Sequence, residues 1–220
     1  MEQNHYLKMT PQVGADNKPR DASIFLKSIN QENVREDIYQ ASHNLADYLQ
    51  AEKIPNVMFL DNSARQAYVG LKEVWKKEQP ESPEPHIYFI NPKAILDESD
   101  FPELEKEFFK KYKNINLAEP ILLYDVCIHT GATILKIKDF FKYLGFTDIR
   151  LAITSVDENF PDEKKDELDL VCLPNRASLG CNPFSKPTYV KNSNHLVSGI
   201  NPAGRALGAS EHQKIKEVFK

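Results

Sequence analysis

A chain of 220 residues, 41% hydrophobic and 27% charged, is long and apolar enough for one domain with a substantial core. Its net charge of −4, with both signs mixed along the chain, excludes a long-range attraction for nucleic acid or an anionic membrane. No apolar run approaches the roughly 20 residues that a membrane-spanning helix needs, and residues 1–20 lack the apolar centre of a secretory leader. The expectation is a cytoplasmic protein whose partners are small molecules rather than nucleic acids or membranes. Three cysteines, Cys127, Cys172 and Cys181, are odd in number and suit no zinc spacing, so reduced structural thiols are expected.

Residues 1–22 contain Pro11, Gly14 and Pro19 and little periodicity, and read as an irregular arm. Over 31–52, Val34, Ile38, Ala41, Leu45, Tyr48 and Leu49 recur at helical spacing, with Asn30 as the expected N-cap. Residues 56–60, Asn-Val-Met-Phe-Leu, predict a strand. The polar turn Asp61-Asn62-Ser63 follows, and then Ala64, Ala67, Leu71 and Val74 mark a helix. A short strand is expected over 86–90, between Pro85 and Pro92. A helix is expected after Asp100, where Pro102 suits the first turn and Leu104, Phe108 and Phe109 form the inner face.

The strongest unit comes next. Ile121-Leu-Leu-Tyr124 reads as a buried strand, and 125–133 as a polar, glycine-containing turn. Ile134, Ile137, Phe141 and Leu144 lie on one helical face, closed by Gly145 as a C-cap glycine. Strands are expected over 149–156 and 170–173, with an exposed charged stretch between them. Alternating strands and helices imply an α/β fold, a mainly parallel twisted sheet flanked by helices on both faces.

From 174 to 208 the pattern gives way to Asn, Pro, Gly and Ser. A lid or hood is the favoured reading over a disordered stretch, because Phe184, Tyr189, Leu196 and Ile200 want cover. A last helix fits 209–219. The expected organisation is an arm over 1–22, an α/β core over 23–173, and a hood with the C-terminal helix over 174–220.

Open sheets of this kind bind ligands at the carboxyl ends of their strands. Two turns lie at such ends, at 61–64 and 125–133. In the second, the first N–H groups of the following helix lack intrahelical partners and converge on one electropositive spot. Thr130 and Thr133 add hydroxyl donors, the amides of Gly131 and Ala132 belong to the same cluster, and Gly131 admits close approach of an anion. Asp125 repels a phosphate, but it can accept hydrogen bonds from sugar hydroxyls or hold Mg²⁺ through water. An acid beside an anion nest suits a ribose 5-phosphate. A strand, turn and Thr-capped helix with a purely structural role has the same spacing.

Ile121-Leu-Leu-Tyr-Asp125-Val-Cys-Ile-His-Thr130-Gly-Ala-Thr133 resembles the phosphoribosyl pyrophosphate (PRPP) motif of type I phosphoribosyltransferases, and the likeness spans about 35 residues. Apolar run, first acid, Thr, Gly and final Thr fall in register. Two positions depart from the motif: Val126 stands where the family has a second acid, and His129 fills a variable position. His129 can act as an acid or base near neutral pH, or lie in solvent.

The resemblance implies a Mg²⁺-dependent transferase acting on PRPP. Asp125 and His129 would act at the reacting centre, and 130–133 would hold the 5-phosphate. The early turn, Asn62, Ser63, Ala64 and Arg65, would meet the pyrophosphate; alternatively Asn62 or Ser63 only caps a helix and Arg65 is solvated. No segment of 91–120 reads as the family's mobile catalytic loop. A non-catalytic module that binds PRPP or a nucleotide therefore stands as the alternative, and a homodimer is compatible with either.

Overall fold

A computed structural model of the chain describes residues 28–60, 64–95, 98–128, 131–157, 160–174, 196 and 205–220. The elements in chain order are α1 (Glu32–Ala51), β1 (Asn56–Leu60), α2 (Ala64–Glu78), β2 (His86–Ile90), α3 (Phe101–Lys111), β3 (Ile121–Ile128), α4 (Ala132–Tyr143), β4 (Ile149–Val156), β5 (Leu170–Val171) and α5 (Arg205–Val218). Short 3-10 turns occupy Pro92–Ala94, Glu98–Asp100 and Asp162–Glu167. The expected arm over 1–22 lies outside the described residues, as does most of the expected hood.

The five strands form one all-parallel sheet in the order β2-β1-β3-β4-β5. All five residues of β1 are buried, and β1 and β3 form its apolar centre. Strand alternation sends Val57, Phe59, Leu122, Tyr124 and Val126 to one face, where α1, α2 and α5 pack. Met58, Leu60, Leu123, Leu151 and Ile153 go to the other, under α3 and α4. The sheet is thus the middle of three layers, as the strand and helix alternation predicted.

Local differences from the sequence reading have physical causes. The N-cap of α1 is Gln31, not Asn30; its backbone is extended, and no side chain caps the helix. β3 continues four residues past Tyr124 because β4 still pairs with it there, Cys127 to Ser155 and Ile128 to Val156. Asp125 therefore lies within the strand rather than in the turn. β5 is only two residues long. Gly145 does adopt a left-handed conformation, φ 97°, just beyond α4. Leu196, within the expected hood, is buried: Asn91 N–H donates to its carbonyl at 2.7 Å, and its N–H donates to Glu107 Oε1 at 3.0 Å.

Candidate functional site

The strand order reverses between β1 and β3, since α2 carries the chain to β2 on one side and α3 returns it to β3 on the other. Such a switch point leaves a crevice at the carboxyl edge of the sheet. β1 ends at Leu60, and its pairing with β3 stops at Phe59 opposite Tyr124. By that register Asp125 is level with Leu60, the last residue of β1, and residues 126–128 extend beyond it, with β4 paired alongside through Cys127–Ser155 and Ile128–Val156. The carboxyl ends of β1 and β3 and the starts of α2 and α4 lie on this same edge, because β1 and β3 run parallel.

Asp125 is the first residue of β3 past its pairing with β1. By alternation it shares the α3/α4 face of the sheet with Leu123 and Cys127, whereas Val126 is fully buried on the opposite face. Asp125 Oδ1 accepts a 2.7 Å hydrogen bond from the N–H of Val126. Burial pushes its carboxyl up to about 7; the Val126 hydrogen bond opposes this but does not cancel it. Residue Asp125 as a whole keeps some solvent exposure, so its carboxyl is desolvated without being sealed off.

Past the turn, Gly131 is the N-cap of α4 with φ 72° and ψ −7°, a left-handed conformation that glycine adopts without strain. Its Cα is overlaid by Phe160: a Cβ built there would lie 2.8 Å from Phe160 Cε2. The first two helical residues, Ala132 and Thr133, are exposed, so the start of α4 is open to solvent. His129 and Thr130 lie outside the described residues.

The earlier turn is built differently. Asn62 and Ser63 lie outside the described residues. Ala64 and Gln66, in the first turn of α2, are fully buried. Arg65 places its guanidinium 4.6 Å from the centroid of the Phe89 ring, so it packs on β2 instead of standing in solvent. Gln66 Nε2 donates to Glu211 Oε2 at 3.3 Å, tying α2 to α5. His212, the next residue of α5, is half-buried, and both burial and the nearby cations Lys216 and Arg65 hold its pKa below the usual histidine range. Sequence reading saw only scattered histidines; α5 brings this one near Arg65.

Two features, one in β4 and one just after it, were also missed. Ser155 is 2% exposed, and its hydroxyl has no hydrogen-bond partner among the described residues. Phe160 covers Gly131. Thr154-Ser155 ends an otherwise apolar strand, which was the available signal for the first; nothing local marks the second. Cys172 is buried beside Tyr124, and burial pushes its thiol up to about 12, in keeping with a structural role. Among the described residues no three His, Cys, Asp or Glu side chains gather as a metal cage. No helix among them is long and apolar enough to cross a membrane.

The class that fold and site define is an open all-parallel α/β sheet whose switch point is bordered by an acid and a glycine-capped helix start. No protein-family model matches the chain, and no curated protein sequence matches it. Similar solved structures include a purine phosphoribosyltransferase from Pyrococcus horikoshii, 14% identical over 56% of this chain and 75% of that one, with a TM-score of 0.39. A hypoxanthine-guanine phosphoribosyltransferase from Schistosoma mansoni in complex with IMP is 17% identical over 79% and 80%, with a TM-score of 0.42. A hypoxanthine phosphoribosyltransferase from Trypanosoma cruzi in complex with its product IMP is 11% identical over 81% and 91%, also at 0.42. Identities and TM-scores this low say nothing about the ligand or reaction of this chain.

Proposed function

We propose that the chain binds a ribose 5-phosphate compound, PRPP or a nucleotide, across the β3–α4 turn, and that it is a phosphoribosyltransferase. The observation that carries this reading is the placement of Asp125 at the carboxyl edge of the sheet, where the β1–β3 pairing stops, before an exposed helix start capped by left-handed Gly131. The 5-phosphate would rest on the N–H groups of 130–133 with the hydroxyls of Thr130 and Thr133. Asp125 would accept the ribose hydroxyls. In the transfer, the bond from the anomeric carbon to the pyrophosphate oxygen breaks and its electron pair leaves with pyrophosphate. A nitrogen nucleophile forms the new bond and gives up a proton. The residues' part would be positioning and charge stabilisation, with His129 as the candidate acid or base. Asp125 alone makes no metal cage, so Mg²⁺ would be carried chiefly by substrate oxygens, with Asp125 holding it through water. When bound, Mg²⁺ supplies neutralisation of the departing pyrophosphate.

Pyrophosphate would be met at 62–65. A guanidinium stacked on a ring keeps its donors in its own plane, so packing on Phe89 and gripping an anion are compatible roles for Arg65. The same packing favours a second reading, a non-catalytic module that senses a nucleotide, since it gives Arg65 a structural reason to exist.

Titration calorimetry with phosphate, ribose 5-phosphate, pyrophosphate, nucleoside monophosphates and PRPP, each with and without Mg²⁺, tests the proposal. PRPP with Mg²⁺ should bind more tightly than ribose 5-phosphate. If PRPP shows no such advantage, the transferase reading is abandoned and the binding module stands. If no ribose phosphate binds at all, both fall.

A further inference from the structure

The site proposed above leaves one polar group at its floor without a role. Ser155 is 2% exposed, and its Oγ has no hydrogen-bond partner among the described residues, although a hydroxyl is both donor and acceptor. A buried hydroxyl left unpaired is a standing cost in the free protein, and groups of this kind concentrate where a ligand or a water completes them. Its position narrows what that ligand is. Ser155 pairs in register with Cys127, and Asp125 pairs with Ile153, so Ser155 is the diagonal neighbour of Asp125 across the β3–β4 ladder. Alternation puts both on the α3/α4 face of the sheet, at the carboxyl edge where α4 starts. Diagonal positions on one face are about 7–8 Å apart at the backbone. Their side chains can then flank one small polar group between them.

Val126 cannot take that part. It is fully buried and packs with α1, α2 and α5 behind the sheet, away from Asp125. On the site's own face, the hydroxyl nearest Asp125 across the β3–β4 ladder is Ser155, which β4 supplies in register.

We infer that Ser155 is a ligand-contacting residue of the β3–α4 site, its hydroxyl meeting a sugar hydroxyl of a ribose phosphate opposite Asp125. This inference rests on the ribose 5-phosphate reading of the site. Cys127, directly across from Ser155 on the same face, is half-buried.

The test compares Ser155→Ala and Asp125→Asn with the parent chain, by calorimetry with ribose 5-phosphate and with inorganic phosphate, and by thermal melts without ligand. Ser155→Ala should weaken ribose 5-phosphate about tenfold, the scale of one neutral hydrogen bond. It should leave inorganic phosphate unchanged and the ligand-free melting temperature unchanged or higher, because it removes an unpaired buried hydroxyl. A lower melting temperature would show that Ser155 has a structural partner and would overturn the inference. So would ribose 5-phosphate affinity that Asp125→Asn weakens and Ser155→Ala does not, which leaves the site reading intact. A parent chain that binds phosphate but gains nothing from the ribose would instead overturn the site reading itself, and this inference with it.

Discussion

The chain builds the same device twice, strand, short polar turn and helix, at neighbouring positions on one edge of the sheet, and the two copies end up different. At β3–α4 the helix opens with exposed Ala132 and Thr133 behind a left-handed glycine. At β1–α2 it opens with fully buried Ala64 and Gln66, and Arg65 lies on the Phe89 ring. A helix start attracts anions only where solvent, and hence the anion, can reach its N–H groups. α2 is closed in at its start by its contact with α5, through Gln66 and Glu211. Nothing among the described residues covers the first two residues of α4. Any pyrophosphate recognition at the first turn must then lean on the side chain of Arg65 more than on α2's own amides.

The contrast within β3 itself admits the most severe test. Asp125 is tolerated because its face reaches the open edge, whereas Val126 faces a closed apolar layer. Placing the missing second acid at that position, Val126→Asp, would bury an unpaired carboxylate. The expected cost is about 3–5 kcal/mol, a fall in melting temperature of roughly 6–20 °C. A melt within 2 °C of the parent, on the scale of a neutral surface change, would mean that the two faces of β3 are less distinct than the packing indicates.

Gly131→Val comes next. It forces a β-branched residue into φ 72° and drives its Cβ to 2.8 Å from Phe160 Cε2. The expected cost is about 2–4 kcal/mol, with phosphate affinity lost at the same time. Gly131→Ala should do less of both, and Phe160→Ala added to it should restore the part due to contact while leaving the backbone strain. Phosphate affinity that survives the valine would place the anion site elsewhere than the start of α4.

Asp125→Asn should show its effect as a function of pH. An ordinary aspartate in the unfolded chain loses its proton near 3.8, and in the fold this one does so near 7. Between those values the unfolded chain has released a proton that the folded chain still holds. The carboxyl's contribution is therefore complete below about pH 3.8 and is lost as pH rises through 7. The asparagine does not titrate and still accepts the Val126 N–H. Ligand-free melts should coincide near pH 4 and diverge in favour of the variant by pH 8. The difference should be on the order of 1–2 kcal/mol, or a few degrees, after screening of a part-exposed residue is allowed for. Parallel curves at all pH values would show a carboxyl that titrates normally.

The smallest expected effect belongs to Arg65→Ala. Loss of the ring contact should cost about 0.5–1 kcal/mol. PRPP affinity should drop about tenfold while ribose 5-phosphate is unaffected, because only pyrophosphate reaches the first turn. Equal affinities before and after for PRPP would leave Arg65 as packing alone and favour the non-catalytic module.

Much of the fold was legible along the chain. The strands at 56–60, 86–90 and 149–156 fall where the apolar runs put them, since a sheet strand writes itself as a mostly apolar stretch bounded by turn residues, fully buried at 56–60 and half-exposed at the edge, 86–90. The helices follow from apolar stripes at helical spacing, and Gly145 from the stop that a helix end requires. These are local signals, decided within a dozen residues. The acid, the glycine and the open helix start were equally readable as a motif.

What only the tertiary structure decided depends on which strand lies beside which. Register with β4 extended β3 past Asp125 and so placed the acid inside a strand with Val126 turned away from it. The meeting of β3 and β4 put Ser155 diagonal to Asp125, and the return of the chain after β4 laid Phe160 on Gly131. α5, more than 100 residues after α2, closed the start of α2 and drew His212 towards Arg65. Pairings of this range leave no periodic trace in the sequence, because each partner's local pattern is satisfied by any apolar or polar neighbour, and only the folded sheet selects one.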